Sequence, residues 1–311
     1  FRRVLFRSIC SNENAYYFDH VHIPGLSIRG LFKNHAEFNN PVLKFLRKAK
    51  SRWTCFFYQD WFENIDSYEK IIVLDVAFSY DSQLLRNIAQ KATNSKLYFY
   101  SWNIAKDESK FEITYNAVKD SGFQFYSYDR GECEKYGLKF NTIMYDRTLT
   151  LQTAHEQYDT LFLGYLKDRK EDILSLYDMF TSAGLTPRFV IVSNGERKEK
   201  FPFEYRDDYV GYYDYLKMVG TSRAILDIAQ QKQDGYSMRV MEAIFFNKKL
   251  VTTNTAVKQS VFYDENNIFI VDLKTTTADE LQAFFAKPFR NYSDEVREYY
   301  SIEAWVDRFT E

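Results

Sequence analysis

The segment DGYSMRVMEAIFFNKKLVTTN, Asp234 to Asn254, sets the reading of the chain. A glycine-bearing polar loop runs into a helix that opens with Ser237 and Arg239, and a β-branched strand follows at once. The apolar run RAILDIA, Arg223 to Ala229, stands before the loop, so the order is strand, loop, helix, strand. In open α/β sheets a ligand sits beyond the carboxyl ends of the strands, where loops lead into helix N-termini. Free backbone N–H groups and the helix dipole favour an anion there. Gly235 lets the backbone approach closely, Ser237 can donate or cap, and Arg239 adds a permanent charge whose fork matches phosphate oxygens. Glu242, one turn further, can accept hydrogen bonds from sugar or ribose hydroxyls. The Arg–Glu spacing of i, i+3 also reads as a plain ion pair on a solvated face.

Working outward, the same alternation recurs. YDTLFLG is a strand ending at Gly164, RKEDILSLYDMFTSAG an amphipathic helix stopped by Gly184, and PRFVIVSN a strand. YYDYLKMVGTS predicts a helix, and KLVTTN and NIFIVD predict strands. Earlier in the chain, KIIVLD (Lys70 to Asp75) is a continuous apolar run of the kind buried in a parallel sheet, with the helical spacing of SQLLRNIAQKAT behind it. KLYFYSWN and GFQFYSYD are further strands, with KFEITYNAVKDSG between them as a polar helix or turn region. NNPVLKFLRKAKSRW predicts a helix with Asn40 as cap and Pro41 at its first position, while Ser11 to Asn39 reads as a long loop or the remnant of a first βα unit. Strand and helix alternating in two series give two doubly wound α/β domains. Periodicity lapses in MYDRTLTLQTAHEQ, which sets an N-terminal domain at 9–150 and a second at 151–292. The remainder, 293–311, predicts one closing helix that starts at Ser293 and packs on either the first domain or its own. The first eight residues, FRRVLFRS, resemble a translated adapter sequence and are left out of the fold expectation, on which view the N-terminal domain is truncated and lacks its beginning.

A chain of 311 residues is long enough for two domains with separate cores. Its 41 Lys and Arg against 43 Asp and Glu leave no global field to attract nucleic acid, so no nucleic-acid partner is expected. Cys10, Cys55 and Cys133 are far apart and lack metal spacing, which fits a reducing cytoplasmic setting without structural zinc. No run approaches the length of a membrane span, so membrane contact would have to be peripheral, and no amphipathic basic helix is strong enough to mark such a contact.

Asp227 at the end of AILDI, the loop DGYSMR, Glu242 with Ala243, and NKKLVTTN together resemble the donor-binding region of GT-B glycosyltransferases. YSYDRGECEKYGLKFN (Tyr126 to Asn141) and DTLFLGYLKDR (Asp159 to Arg169) are similar to the same group, in particular to its bacterial members of lipopolysaccharide, capsule or exopolysaccharide biosynthesis. The resemblance implies two Rossmann-like domains facing a cleft. It implies a nucleotide-sugar donor held by the C-terminal domain and a glycan or lipid-linked acceptor held by the N-terminal one. It also implies a cytoplasmic enzyme, peripheral at the inner membrane where the acceptor is lipid-linked. No cofactor is called for, the nucleotide sugar being a substrate, and helix dipoles with basic side chains would replace a metal. The donor-binding set is then Gly164, Lys167, Arg169, Gly235, Tyr236, Ser237, Arg239 and Glu242. A nucleotide-sugar epimerase of the same fold and a non-catalytic binding protein in polysaccharide assembly are the alternatives.

Charge developing on a leaving diphosphate must be met by fixed donors, which makes Arg239 a catalytic candidate too. Lys167 and Arg169 also read as an ordinary charged loop before a helix. A base is needed if the anomeric centre is inverted. Asp75 and Asp129 stand at strand tips, as does Asn103, although both aspartates also suit helix capping; His20 and His22 are further options. Trp102 can stack on a sugar or simply pack. The adjacent Asp207 and Asp208 read as a solvated turn, and Cys133 has no role.

Overall fold

The structure is a computed structural model that describes residues 3–7, 21–33, 36–104, 107–152, 154–166, 169–192, 202–229 and 234–310. The chain divides into two compact units, one of Phe1–Ile143 with Glu303–Glu311 and one of Met144–Ile302.

The first unit carries a fully parallel sheet of β1 (Arg3–Arg7), β2 (Leu26–Ile28), β3 (Tyr68–Leu74), β4 (Lys96–Ser101), β5 (Gln124–Ser127) and β6 (Lys139–Phe140). Its spatial order is β2-β1-β3-β4-β5-β6. Arg3–Arg7, part of the FRRVLFRS segment left out of the fold expectation, forms a strand of this sheet. Arg3–Arg7 pairs parallel with both neighbours, Val4 opposite Leu26 and Lys70, and so occupies an inner position where the strand order reverses. The helices of this unit are α1 (Ala36–Asn39), α2 (Pro41–Lys48), α3 (Asp75–Tyr80), α4 (Leu84–Lys91), α5 (Glu108–Asp120) and α6 (Arg130–Tyr136), with 3-10 turns at Arg52–Phe57, Asp60–Phe62 and Ile65–Ser67. Asn40 caps α2 by accepting from the Leu43 amide, and Pro41 takes the first helical position, where its missing N–H is no loss. Ile71, Ile72, Val73 and Leu74 are all buried, which explains why β3 is apolar throughout instead of alternating.

The second unit carries β7 (Tyr158–Gly164), β8 (Pro187–Val192), β9 (Glu204–Arg206), β10 (Ser222–Asp227), β11 (Lys249–Thr252) and β12 (Ile268–Ile270), again all parallel, in the order β12-β11-β10-β7-β8-β9. Counted from β7, this is the doubly wound order of dinucleotide-binding sheets, and the strand order reverses between β7 and β10. Its helices are α7 (Lys170–Ser182), α8 (Tyr212–Gly220), α9 (Met238–Phe245), α10 (Ala278–Ala286) and α11 (Asp294–Tyr299). Gly184, at φ 71°, ends α7: its N–H donates to Thr181 O and that of Leu185 to Phe180 O, a left-handed closure that glycine adopts without strain. A core of Phe162, Ile173, Leu176, Phe180, Phe189 and Leu226 joins α7 to the sheet.

The closing segment is not one helix. After α11 the chain turns at Tyr300 and Ser301 and resumes as α12 (Ile302–Asp307). The Tyr300 carbonyl accepts from the Tyr145 amide at 2.8 Å, and Ser301 bridges to Tyr145, so these backbone groups serve a long-range pairing instead of a helix. In the first unit Trp305 and Phe309 are fully buried, with the Trp305 ring 4.9 Å from Tyr100 and the Phe309 ring 4.8 Å from Tyr126. Tyr126 donates to Thr310 O at 2.8 Å, and Asn141 donates to Trp305 O at 3.0 Å.

Candidate functional site

At the carboxyl end of β10, Asp227 is buried and its carboxylate links three segments. The Ser237 hydroxyl donates to Oδ1 at 2.7 Å and the Thr252 hydroxyl to Oδ2 at 2.9 Å. Ser237 is the N-cap of α9, yet its side chain makes no cap bond. Its hydroxyl is turned towards Asp227; of the first three N–H groups of α9, that of Val240 donates to the Ser237 carbonyl at 3.1 Å, and those of Met238 and Arg239 make no hydrogen bond among the described residues and can meet another acceptor. Gly235 is buried, and its carbonyl accepts from Asn254 Nδ2 at 3.2 Å; the Asn254 amide in turn donates to Thr252 Oγ1. The loop is thus fixed from below by the end of β11. Tyr236 packs edge-on to Phe262, with centroids 5.1 Å apart.

Arg239 lies at the strand-order reversal. Its Nη2 donates to Leu163 O at 2.6 Å, and its guanidinium carbon is 5.5 Å from the centroid of the Phe162 ring. Gly164 is where it is for that reason: a β-carbon there would stand 3.3 Å from Arg239 Nη2 and 3.3 Å from Phe162 Cζ. Gly164 and Arg239, chosen from separate segments, therefore come together at the ends of β7 and α9. The Leu163 bond is the one side-chain hydrogen bond of Arg239 among the described residues, and a guanidinium has five N–H donors. The half-buried cation can therefore meet a bound anion without breaking its anchor.

Two other predicted ligands have different surroundings. Arg169 is buried, with Nη1 donating to Ile228 O at 2.7 Å and Nη2 to Tyr165 O at 3.2 Å, so it ties the segment after β7 to the end of β10. Glu242 is 2% exposed and faces α8, where it accepts from Tyr212 at 3.1 Å and from Tyr215 at 2.5 Å. Burial raises its carboxyl above the ordinary range, opposed by the Tyr215 bond and by the positive charge of Arg239. A further hydroxyl contact, Tyr145 to Tyr212 at 2.5 Å, extends this buried chain. The tyrosines were not identified from sequence; Tyr212 and Tyr215 at i, i+3 on one helix were the only available signal. Lys167 lies outside the described residues.

In the first unit, Asp75 opens α3, and Asn103 holds its Oδ2 through both the backbone and side-chain nitrogens at 3.1 Å. The two strand-tip candidates thus meet. Asp129 is buried and caps α6, accepting from the Glu132 amide at 2.9 Å. Trp102 is half-buried against Tyr100, their centroids 6.5 Å apart. His22 is exposed, and His20 is outside the described residues. Asp207 and Asp208 form an exposed bend. Burial pushes the Cys133 thiol up to about 11, the reverse of activation.

Two parallel sheets of this topology, each flanked by helices, define an α/β protein of two Rossmann-like units, the GT-B type of architecture. Among solved structures the chain is similar to an alpha-glucosyltransferase in complex with UDP-glucose and DNA containing an abasic site. That likeness has a TM-score of 0.55 at 11% identity over 98% of this chain and 92% of the other. A weaker likeness, TM-score 0.40 at 14% identity over 98% of this chain and 85% of the other, is to the glycotransferase of kitacinnamycin. At such identities the likeness is one of fold. No protein-family profile matches the sequence, and no curated protein matches it.

Proposed function

We infer that the protein is a glycosyltransferase that moves a sugar from a nucleotide-sugar donor to a hydroxyl of a surface polysaccharide or lipid-linked glycan, without a metal. The observation that carries this reading is the pairing of an α9 N-terminus left uncapped by Ser237 with Arg239 anchored at the order reversal of a Rossmann-type sheet. Support also comes from the fold, shared with a glycosyltransferase seen with UDP-glucose.

The donor diphosphate lies against the Gly235–Tyr236–Ser237 loop, with Arg239 over it, Gly164 giving it room, and Lys167 a further cation. Arg169 and Glu242 act behind this layer, the first fixing the loop after β7 and the second holding α9 against α8. In transfer, the acceptor oxygen attacks the anomeric carbon, the carbon–oxygen bond to the diphosphate breaks, and the nucleoside diphosphate leaves with its charge met by Arg239 and the α9 amides. Where the anomeric centre is inverted, the acceptor proton passes to Asp75, which Asn103 orients. Asp129, buried and capping α6, is the weaker candidate for that step.

The test is thermal stability against UDP, GDP, CDP, TDP and CMP, with Arg239→Ala alongside, because a ligand of the folded state raises the midpoint by mass action. A shift with one nucleotide that vanishes in the variant places the diphosphate at this loop. With donor and acceptor in hand, Arg239→Ala is expected to lower the rate by about 10² to 10³. No shift with any nucleotide would overturn the reading, and conversion of the donor alone, read by NMR, would replace it with an epimerase.

A further inference from the structure

Ten large apolar side chains are prominently exposed among the described residues, and four of them, Val42, Phe45, Trp53 and Phe56, fall within one short stretch of the first unit. Their exposures run from 56% to 75%, high for residues that globular surfaces usually cover. The stretch is built from α2 and the 3-10 turn Arg52–Phe57, joined by a tight connection in which Lys50 takes φ 50° and the Ser51 amide donates to Leu46 O at 2.9 Å. The same stretch holds Lys44, Arg47, Lys48, Lys50 and Arg52, and no carboxylate occurs from Asn40 to Gln59, in a chain whose formal net charge is -2. Lys44, Lys48, Lys50 and Arg52 are exposed.

These side chains are not exposed because the segment is loose. Leu43 and Thr54 are fully buried on its inner side, and Cys55 and Phe57 pack against the core. Beneath the 3-10 turn lies a buried polar cluster: Tyr58 donates to Asp81 at 2.5 Å, and Asn87 Nδ2 donates to Tyr58 Oη at 3.0 Å and to Arg52 O at 3.1 Å. Trp53 and Phe56 are thus presented from a fixed platform. Exposed aromatics interleaved with cations match the two halves of a lipid interface, the rings reaching the acyl boundary while the ammonium and guanidinium groups meet anionic headgroups.

We propose that α2 and the turn after it form a docking surface for an anionic phospholipid bilayer, with Val42, Phe45, Trp53 and Phe56 entering the interface and Lys44, Lys48, Lys50 and Arg52 contacting its phosphates. The inference rests on this surface alone and does not depend on the nucleotide site. A nucleic acid would use the cations but leave four apolar side chains in water, so the bilayer is the better match.

The experiment is co-sedimentation of the full chain with vesicles of phosphatidylglycerol and phosphatidylethanolamine, and with pure phosphatidylcholine vesicles. Emission from Trp53 is read in parallel, with Trp53→Phe as control to subtract the emission of the buried Trp61 and Trp305 and the half-buried Trp102. The expected result is binding to the anionic vesicles, a blue shift lost in Trp53→Phe, and at least about a tenfold weaker partition for Phe45→Ser/Phe56→Ser and for Lys44→Glu/Lys48→Glu. Both pairs are exposed, and unchanged melting temperatures confirm folding. Absence of binding by the unaltered chain, or equal binding by both variants, overturns the proposal. So does binding of a labelled DNA duplex, lost in Lys44→Glu/Lys48→Glu, without binding to vesicles. Nucleotide-induced stabilisation of the same samples separates this outcome from a failure of the donor reading.

Discussion

Replacing Asp227 by alanine probes the link that fixes the phosphate loop. The carboxylate is 1% exposed and accepts two hydroxyl bonds, from Ser237 at 2.7 Å and Thr252 at 2.9 Å. Hydrogen bonds to a charged group contribute about 1.5 to 3 kcal/mol each, so the gross loss is about 3 to 6 kcal/mol. Two effects offset it. Ser237 is half-buried and, once released, can cap α9, which returns about 1 kcal/mol. Removing a buried carboxylate also removes its desolvation penalty, so the net loss is about 2 to 4 kcal/mol, most of it from Thr252, whose fully buried hydroxyl finds no water. Asp227→Asn keeps the shape and one acceptor oxygen, and should cost about 1 kcal/mol. Urea unfolding followed by far-UV circular dichroism gives these values; tryptophan emission serves as a control, since Trp53, Trp61, Trp102 and Trp305 all belong to the first unit. Combining Asp227→Ala with Ser237→Ala should give a coupling of about 1 to 2 kcal/mol. A loss below about 1 kcal/mol for Asp227→Ala, or strict additivity of the pair, would refute the view that this carboxylate holds the loop.

Gly164→Ala places a methyl 3.3 Å from both Arg239 Nη2 and the Phe162 ring, so the guanidinium must give way; stability should fall by less than about 1 kcal/mol while nucleotide-induced stabilisation drops clearly, and unchanged binding would count against the placement of Arg239. Burial raises the Glu242 carboxyl above its ordinary value, so the folded state holds the proton more tightly and this group's stabilisation is complete below pH about 4.3 and is lost as pH rises through the folded value. The stability advantage of the natural chain over Glu242→Gln should therefore shrink from pH 4 to pH 7, and a pH-independent difference would contradict the assignment. With its thiol pushed up to about 11, Cys133 should be alkylated by iodoacetamide at pH 8 about a hundredfold more slowly in the native chain than in urea; similar rates by site-resolved mass spectrometry would rule this out.

Most strands were legible because a parallel sheet covered on both faces needs uninterrupted apolar runs, as in Ile71 to Leu74. Helix ends were legible where one residue type answers a local need, as with Asn40 and Pro41 at the start of α2 and Gly184 after α7. The two-residue β6 has too few side chains to show a period. Arg3–Arg7 was missed because its strand role is visible only once β2 and β3 flank it.

The sequence by itself determined two α/β units and singled out Gly235, Ser237 and Arg239, because periodicity, glycine conformation and charge are local properties of the chain. Only the tertiary structure decided what those side chains meet. Arg169 reaches a carbonyl 59 positions away, Arg239 one 76 positions away, and Glu242 turns to tyrosines of α8. The exposed aromatic and basic surface of α2 and its following turn belongs to the same class. Each element alone is too short to read as a membrane-active helix, and which of its apolar side chains remain outside is settled by the core that buries Leu43 and Thr54 beneath them.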